Sequence, residues 1–200
     1  MQSRKFRPMR AVLKICLTVA LFVGAAQAAA ARTIHIVAFG DSATAGWLVP
    51  RDQAYPAQLQ AALRQRGYDV VVKNAGINGG TFEMALQSLD RTIDPGTDIA
   101  IIEFGTNDLH RGALLQYVRE RLATLIRALR ARKIEVLVIG LGSLNLSDVA
   151  KANDVAYAQW MLPPGRYRAG DGAHFNAQGY AILVARMLPQ VEELIARRSR

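Results

Sequence analysis

The sequence predicts an α/β fold in which a central, mostly parallel sheet of about five strands is covered by helices on both faces. Short runs of apolar residues alternate along the chain with longer segments of helical periodicity. These runs are nearly continuous, so both faces of each strand should be buried, which is typical of parallel sheets. The length of 200 residues suits a single domain with a sizeable core.

The predicted elements follow in a regular order. Strands are expected at 34–39, 69–73, 98–104, 134–141 and 155–160. Helices are expected at 55–66, 81–92 and 176–197, the last with an apolar side formed by Leu183, Met187, Val191 and Leu194. Another helix is indicated by apolar residues that recur at spacings of three and four, namely Leu115, Val118, Leu122, Leu125 and Leu129.

The first 28 residues have the layout of a secretory signal peptide. Five basic residues precede an apolar run at 15–26, and Ala26-Gln27-Ala28 offers small residues for cleavage after Ala28. The alternative is an uncleaved membrane anchor, but the run is short for a span of about 20 residues. We therefore predict an exported protein, periplasmic or secreted, with residues 29–200 as one domain and no stable membrane anchor.

The charge balance gives little support to a nucleic-acid partner. The whole chain carries 25 Lys and Arg against 16 Asp and Glu, a net charge of +9. Removing the five basic residues of the signal segment leaves 20 against 16, a net charge of +4. The only cysteine, Cys16, also lies in that segment, so disulfide and thiol chemistry are not expected in the mature chain.

Polar residues cluster where the predicted strands end. Because sites in parallel sheets form at the carboxyl ends of strands, these clusters should converge. The clusters are Gly40-Asp41-Ser42, the glycine-rich stretch 74–81, Gly105-Thr106-Asn107-Asp108 and, before the last helix, Asp171-Gly172-Ala173-His174.

A serine at a strand end becomes a nucleophile only if a base takes its proton. Among the three histidines, His35 lies within the first strand and His110 follows the Asn107 loop. His174 lies three residues after Asp171, which can orient its ring, so we expect His174 to be the base. Backbone N–H groups of Ser42 and of the glycine-rich loop, with the Asn107 amide, could stabilise an oxyanion. Each cluster by itself is better explained as a turn or a helix cap.

Together the four clusters, in this order, resemble the blocks of the SGNH, or GDSL, hydrolase family. The resemblance covers nearly the whole mature chain and implies a flavodoxin-like fold and a serine hydrolase mechanism. It implies Ser42 as nucleophile, His174 as base and Asp171 as its orienting group. It also implies an oxyanion hole made by Ser42 N–H, Gly79 N–H and Asn107, and no metal or organic cofactor.

Within that family, the chain looks most like the small periplasmic thioesterase I, lysophospholipase and arylesterase group. It departs from that group at Gly80, where Asp is usual, and at Thr106, where Gly is usual. The segment 143–170 is also shorter than in relatives. This shortening favours a shallow, open site over one that takes long acyl chains.

Three functions follow as hypotheses. The first is an exported esterase acting on a small-molecule substrate, a small or medium acyl ester or thioester. The second is a carbohydrate O-acetyl esterase, whose sugar groove Trp47, Tyr157, Trp160 and Tyr167 could line. The third, from another class, is a non-catalytic binding protein on a hydrolase scaffold, which a missing triad residue would favour.

Overall fold

A computed structural model describes residues 32–161 and 164–198, and the predicted signal segment lies outside them. The five predicted strands are present and form one sheet in the order β2-β1-β3-β4-β5. Every neighbouring pair is parallel. The strands are β1 (Ile34–Gly40), β2 (Val70–Asn74), β3 (Ile99–Glu103), β4 (Glu135–Leu141) and β5 (Ala156–Trp160).

Seven helices connect or follow these strands in the described part of the chain. They are α1 (Ser42–Ala45), α2 (Tyr55–Gln65), α3 (Phe82–Thr92), α4 (Thr106–His110), α5 (Leu115–Ala131), α6 (Ser147–Ala152) and α7 (Ala177–Arg198). The four long helices lie where periodicity predicts them. The short helices α1 and α4 are one turn each, too short to produce a periodic apolar pattern.

Two apolar cores sandwich the sheet, because alternate strand residues point to opposite faces. In β1, Ile36 and Ala38 face the core beneath α2 and α7, whereas Val37 and Phe39 face the core beneath α3 and α5. Strands β3 and β4 divide their side chains in the same way. The fold is therefore the predicted three-layer α/β/α sandwich.

One residue of the predicted apolar face of α5 is not buried. Val118, Leu122, Leu125 and Leu129 are fully buried, but Leu115 is 41% exposed. Leu115 is the first residue of the helix, and the adjoining Leu114 is also exposed. The first turn of α5 therefore lies outside the apolar core, and the following turns pack against that core. No helix in residues 32–161 and 164–198 is long and apolar enough to cross a membrane.

Candidate active site

The turn between β1 and α1 places Ser42 at the carboxyl end of the sheet. Asp41 caps α1, since its Oδ1 accepts a hydrogen bond from Ala43 N–H at 2.8 Å. Gly46, with φ at +84°, ends the helix in the left-handed conformation that glycine adopts readily. The strand, the cap and the glycine together hold Ser42 on a single tight turn.

Ser42, His174 and Asp171 form one continuous chain of hydrogen bonds. Ser42 Oγ lies 2.8 Å from His174 Nε2, and His174 Nδ1 lies 2.6 Å from Asp171 Oδ2. Because a carboxylate only accepts hydrogen bonds, Nδ1 carries the proton and Nε2 is free to accept one from Ser42. The structure therefore brings together the three residues that the sequence predicts as a triad.

Asp171 is held as an ionised acceptor. A hydrogen bond from His174 Nδ1, and then those from the backbone N–H groups of His174 and Ala173, lower the pKa of Asp171 to about 2. Its carboxylate can therefore stabilise positive charge on the imidazole across the whole neutral range.

The loop that carries Asp171 and His174 is fixed at both ends. Asn176 Nδ2 donates to the carbonyls of Arg166 and Arg168, at 2.9 and 3.2 Å. The Arg168 guanidinium donates to Gly172 O at 2.8 Å. These contacts close residues 166–176 into a compact loop, which orients the imidazole before any substrate binds.

The predicted oxyanion donors differ in how free they are. Among the described residues, the backbone N–H groups of Ser42 and Gly79 have no acceptor. Asn107 Nδ2 is engaged already, donating to Asp41 Oδ2 at 3.0 Å and to Gly80 O at 3.1 Å. Asn107 would have to share one of these hydrogens with a substrate oxygen.

Ser42 and His174 open onto a cavity of about 340 Å³. Asn107 lines it as well, but Gly79 does not, and its carbonyl instead accepts a hydrogen bond from Arg111 at 2.9 Å. The remaining walls combine apolar Leu141 and Phe175 with polar groups from Thr106, His110, Ser143 and Arg168. A larger cavity of about 520 Å³ between β2 and α3 contains none of the predicted site residues.

Several residues discussed from the sequence lie away from this cavity. His35 is near the amino end of β1. At the rise per residue of a β-strand, it lies about 20 Å along the chain from Ser42. Trp160, suggested for a sugar groove, is instead fully buried, with its ring 4.9 Å from Tyr55. Trp47, Tyr157 and Tyr167 are also absent from the described residues that line the cavity.

The sequence reasoning missed the place of three residues in this region. Asp41 links the nucleophile turn to Asn107, and Glu103 lies buried against both Asp41 and Thr44. Asp41 could have been inferred as a helix cap from its position before Ser42. Glu103 gives a weaker signal, as the one acidic residue in an otherwise apolar strand.

His110, considered only as a loop residue, is exposed at the end of α4 and lines the cavity.

Comparison with known proteins identifies the lineage of this site. A model of the GDSL-like Lipase/Acylhydrolase family matches residues 38–162, more than half of the chain. The chain belongs to this family. Its matched region begins in β1 and includes Ser42, the glycine-rich loop and Asn107.

Two curated proteins are similar to this chain in sequence. Esterase TesA of Pseudomonas aeruginosa is 35% identical over 135 residues, 66% of this chain and 65% of that protein. An arylesterase of Vibrio mimicus is 31% identical over 114 residues, 56% of this chain and 57% of that protein. The chain thus matches less than two thirds of the length of either one.

The fold of the family is also found in solved structures. A lipase/acylhydrolase from Enterococcus faecalis superimposes with a TM-score of 0.67 at 27% identity. The match covers 82% of this chain and 96% of that one. The sandwich described above is therefore the family's architecture.

Proposed function

We propose that this protein is an exported serine esterase that hydrolyses small or medium acyl esters through an acyl-serine intermediate. The observation that carries the proposal is the unbroken chain from Ser42 Oγ through His174 to Asp171 at the wall of a cavity. Membership of an acylhydrolase family, with relatives named as esterases, supports it.

The geometry allows both halves of the reaction. Ser42 Oγ attacks the ester carbonyl carbon while His174 Nε2 takes the hydroxyl proton, and Asp171 stabilises the imidazolium. His174 then returns that proton to the departing alkoxide, which leaves Ser42 acylated. A water molecule, deprotonated by the same nitrogen, attacks the acyl carbon, and the regained proton restores the Ser42 hydroxyl as the carboxylic acid leaves.

The developing oxyanion needs donors that already point at it. We assign this role to the N–H groups of Ser42 and Gly79 and to the Asn107 amide. Neither backbone N–H group has an acceptor in the described residues, and Ser42 lines the cavity, whereas Gly79 does not and is assigned from the family resemblance. Asn107 lies at the same cavity, and its bonds to Asp41 and Gly80 fix the direction of its amide.

The dimensions of the site favour compact substrates. A cavity of about 340 Å³ is at the lower end of the range for small-molecule sites. One wall is the loop after β4, which is held by Gln159 Nε2 donating to Gly142 O at 2.9 Å. This contact ties the short segment after β4 to β5 and limits how far an acyl chain could extend.

The test is hydrolysis of p-nitrophenyl esters of increasing acyl length. Ser42→Ala should lower kcat by at least about 10⁴-fold, the scale of losing a nucleophile. Ser143→Ala is a matched control, because Ser143 lines the same cavity but, among the described residues, takes no part in the hydrogen bonds of the triad, and it should stay within about 3-fold of the parent. The chain length at which kcat/KM falls reports the depth of the acyl site.

A failure would be informative. If folded protein hydrolysed none of these esters, the simple esterase proposal would be wrong, and acetylated saccharides would be the next substrates to assay. If Ser42→Ala kept full activity, the serine mechanism would be wrong. Binding of an ester without turnover would favour a non-catalytic role.

Export can be tested separately. We infer that residues 1–28 are removed, and they lie outside the described residues. Intact-mass measurement of protein recovered from the periplasm or the medium should give a chain that begins at Ala29. Recovery of the uncleaved chain in the membrane fraction would show an anchor instead.

A further inference from the structure

A pair of carboxyl groups is buried directly beneath the nucleophile turn. Asp41 follows Gly40, which is in register with Glu103 on the neighbouring strand. Only 1% of Glu103 and 3% of Asp41 are exposed. Two acids in contact inside a protein cannot both be ionised without a large electrostatic cost.

The surroundings of Glu103 favour a proton on one of these two acids. Glu103 Oε2 accepts from Thr44 Oγ1 at 3.0 Å and from Asp41 N–H at 3.3 Å. The Asp41 N–H at Glu103 Oε2 brings the two buried carboxyl groups side by side, so a proton on one of them removes the repulsion between two negative charges. Among the described residues, no Lys or Arg forms an ion pair with either acid.

The other ionisable groups near the pair do not compete for this proton. Tyr55 from α2 lies 3.5 Å from Thr44 Oγ1, and Tyr180 from α7 donates to Ala43 O at 2.8 Å. Burial raises the pKa of both phenols, so they stay neutral. Burial, and next the charge of Asp41, raise the pKa of Glu103 well above its ordinary value. Asp108 and His174 form no hydrogen bond with Asp41 in the described part of the chain; their side chains bond to Phe82 N–H and to Ser42 and Asp171.

Asp41 is in turn hydrogen-bonded to the turn that carries Ser42 and to Asn107. Its Oδ1 accepts from Ala43 N–H at 2.8 Å, and its Oδ2 accepts from Asn107 Nδ2 at 3.0 Å. One carboxylate therefore holds the turn of the nucleophile and the amide of the oxyanion hole at the same time. A small rotation of Asp41 would displace both.

We propose that Glu103 is a positioning residue that works as a neutral acid, donating its carboxyl proton to Asp41 and so fixing Ser42 and Asn107 relative to each other. This inference rests on the proposed esterase function, since it gives Glu103 a role in ordering that site. Glu103 itself is not among the residues that line the cavity, so its effect on substrate is indirect.

Two substitutions at Glu103 separate hydrogen bonding from shape. In Glu103→Gln, the amide carbonyl can accept from Thr44 and Asp41 N–H while the NH₂ group donates to Asp41. Its kcat for p-nitrophenyl acetate should stay within about 3-fold of the parent. Glu103→Leu keeps the volume and loses the donor, so kcat should fall about 10- to 100-fold with KM nearly unchanged.

Two kinetic outcomes would overturn the proposal. If Glu103→Gln were as impaired as Glu103→Leu, with both variants folded by circular dichroism, a neutral donor would not be what the site needs. If Glu103→Leu were less stable but kept the parent kcat, Glu103 would serve folding only.

Infrared spectroscopy tests the protonation state without any assay of activity. The parent protein at about pH 7 should show the C=O band of a protonated carboxylic acid, and Glu103→Gln should lack it. Absence of such a band from the parent protein would overturn the proposal even if the variants did not fold. The band does not depend on whether Ser42 is a nucleophile, so this result is distinct from failure of the esterase proposal.

Discussion

At the scale of single residues, Asp171 shows how one side chain can organise a loop and a proton path together. Its Oδ1 accepts the N–H groups of Ala173 and His174, both at 3.0 Å, while its Oδ2 accepts His174 Nδ1. The same carboxylate thus shapes the backbone beside the imidazole and selects its tautomer. Because its pKa is lowered to about 2, it stays ionised at every pH at which the protein is expected to work.

Asp171→Asn should therefore disable the proposed base without removing it. An asparagine NH₂ group facing Nδ1 would favour the tautomer with the proton on Nε2, which cannot accept the Ser42 proton. We expect kcat to fall by about 10³- to 10⁴-fold with little change in KM, measured with p-nitrophenyl acetate. Asp52→Asn, at an exposed carboxylate in the turn before α2, is the control and should leave kcat unchanged. A mutant that retained more than about a tenth of the parent kcat would contradict this role for Asp171.

At the scale of elements, the junction of β1 and α1 depends on very close packing. A Cβ atom at Gly40 would overlap Thr44 Oγ1 and the carbonyl oxygen of Glu103, and would lie 2.9 Å from Glu103 Oε2. Glycine is needed here because the strand must approach β3 and the polar groups beneath α1. The motif that contains Ser42 is therefore also a packing motif.

Gly40→Ala should damage both stability and activity. Since the added methyl group meets backbone as well as side chain, the turn must shift, and we expect a loss of about 1–3 kcal/mol of unfolding free energy. The displacement of Ser42 should also lower kcat by about 10-fold or more. Gly96→Ala is the matched control, because a Cβ there meets nothing within 4 Å, and it should change stability by less than about 0.5 kcal/mol. Equal urea midpoints and equal kcat for the two variants would show that the junction tolerates the extra atom.

At the scale of the whole molecule, Asp98 joins distant parts of the chain at the amino ends of the strands, whereas Ser42 lies at the carboxyl ends. It is 2% exposed and accepts hydrogen bonds from Arg32 at 3.0 and 2.7 Å, from His35 N–H at 2.9 Å and from Arg198 at 3.1 Å. Burial acts to raise the pKa of Asp98, but these donors outweigh burial and the pKa is lowered. The segment before β1 and the end of α7 are thereby fastened to the start of β3.

Asp98→Asn should destabilise the fold in a pH-dependent manner. Because the folded-state pKa is lowered, the ionised group stabilises the protein above its unfolded-state pKa, and this stabilisation is lost as the pH falls through the folded value. We expect a loss of about 1–3 kcal/mol at about pH 7 that becomes smaller as the pH falls below the ordinary pKa of an aspartate, measured by urea unfolding. The kcat of the folded enzyme should be unchanged, because Asp98 lies far from the cavity.

The control for Asp98 is an exposed ion pair. Asp90 pairs with Arg132 but is almost fully exposed, so Asp90→Asn should cost less than about 1 kcal/mol at any pH. The unfolding free energies of Asp98→Asn and the parent could also differ by the same amount from about pH 7 to about pH 3. The ionised Asp98 carboxylate would then not be the source of the difference.

Much of the fold could be predicted because its signals are local. The apolar runs that became β1, β3 and β4 are buried on both faces, and the spacing of Val118, Leu122 and Leu125 placed one face of α5 correctly. Leu115 begins the predicted helix but is exposed, because periodicity does not show where a helix extends beyond the core that it packs against. Trp160 was suggested for a sugar groove because the type of a residue does not show whether its ring is exposed or packed in a core.

The amino-acid sequence by itself determined the strand and helix order, and it predicted a shared site for Ser42, Asp171 and His174 at one edge of the sheet. Those properties depend on residue type, short-range periodicity and the rule that parallel strands share one carboxyl edge. Only the tertiary structure decided that Ser42 Oγ and His174 Nε2, from residues 132 positions apart, lie 2.8 Å from each other. It also decided that Asp41 is bonded both to Asn107 and to the buried Glu103. Distances between remote residues are set by how helices and strands pack, and packing is a property of the whole chain that no short stretch of it encodes.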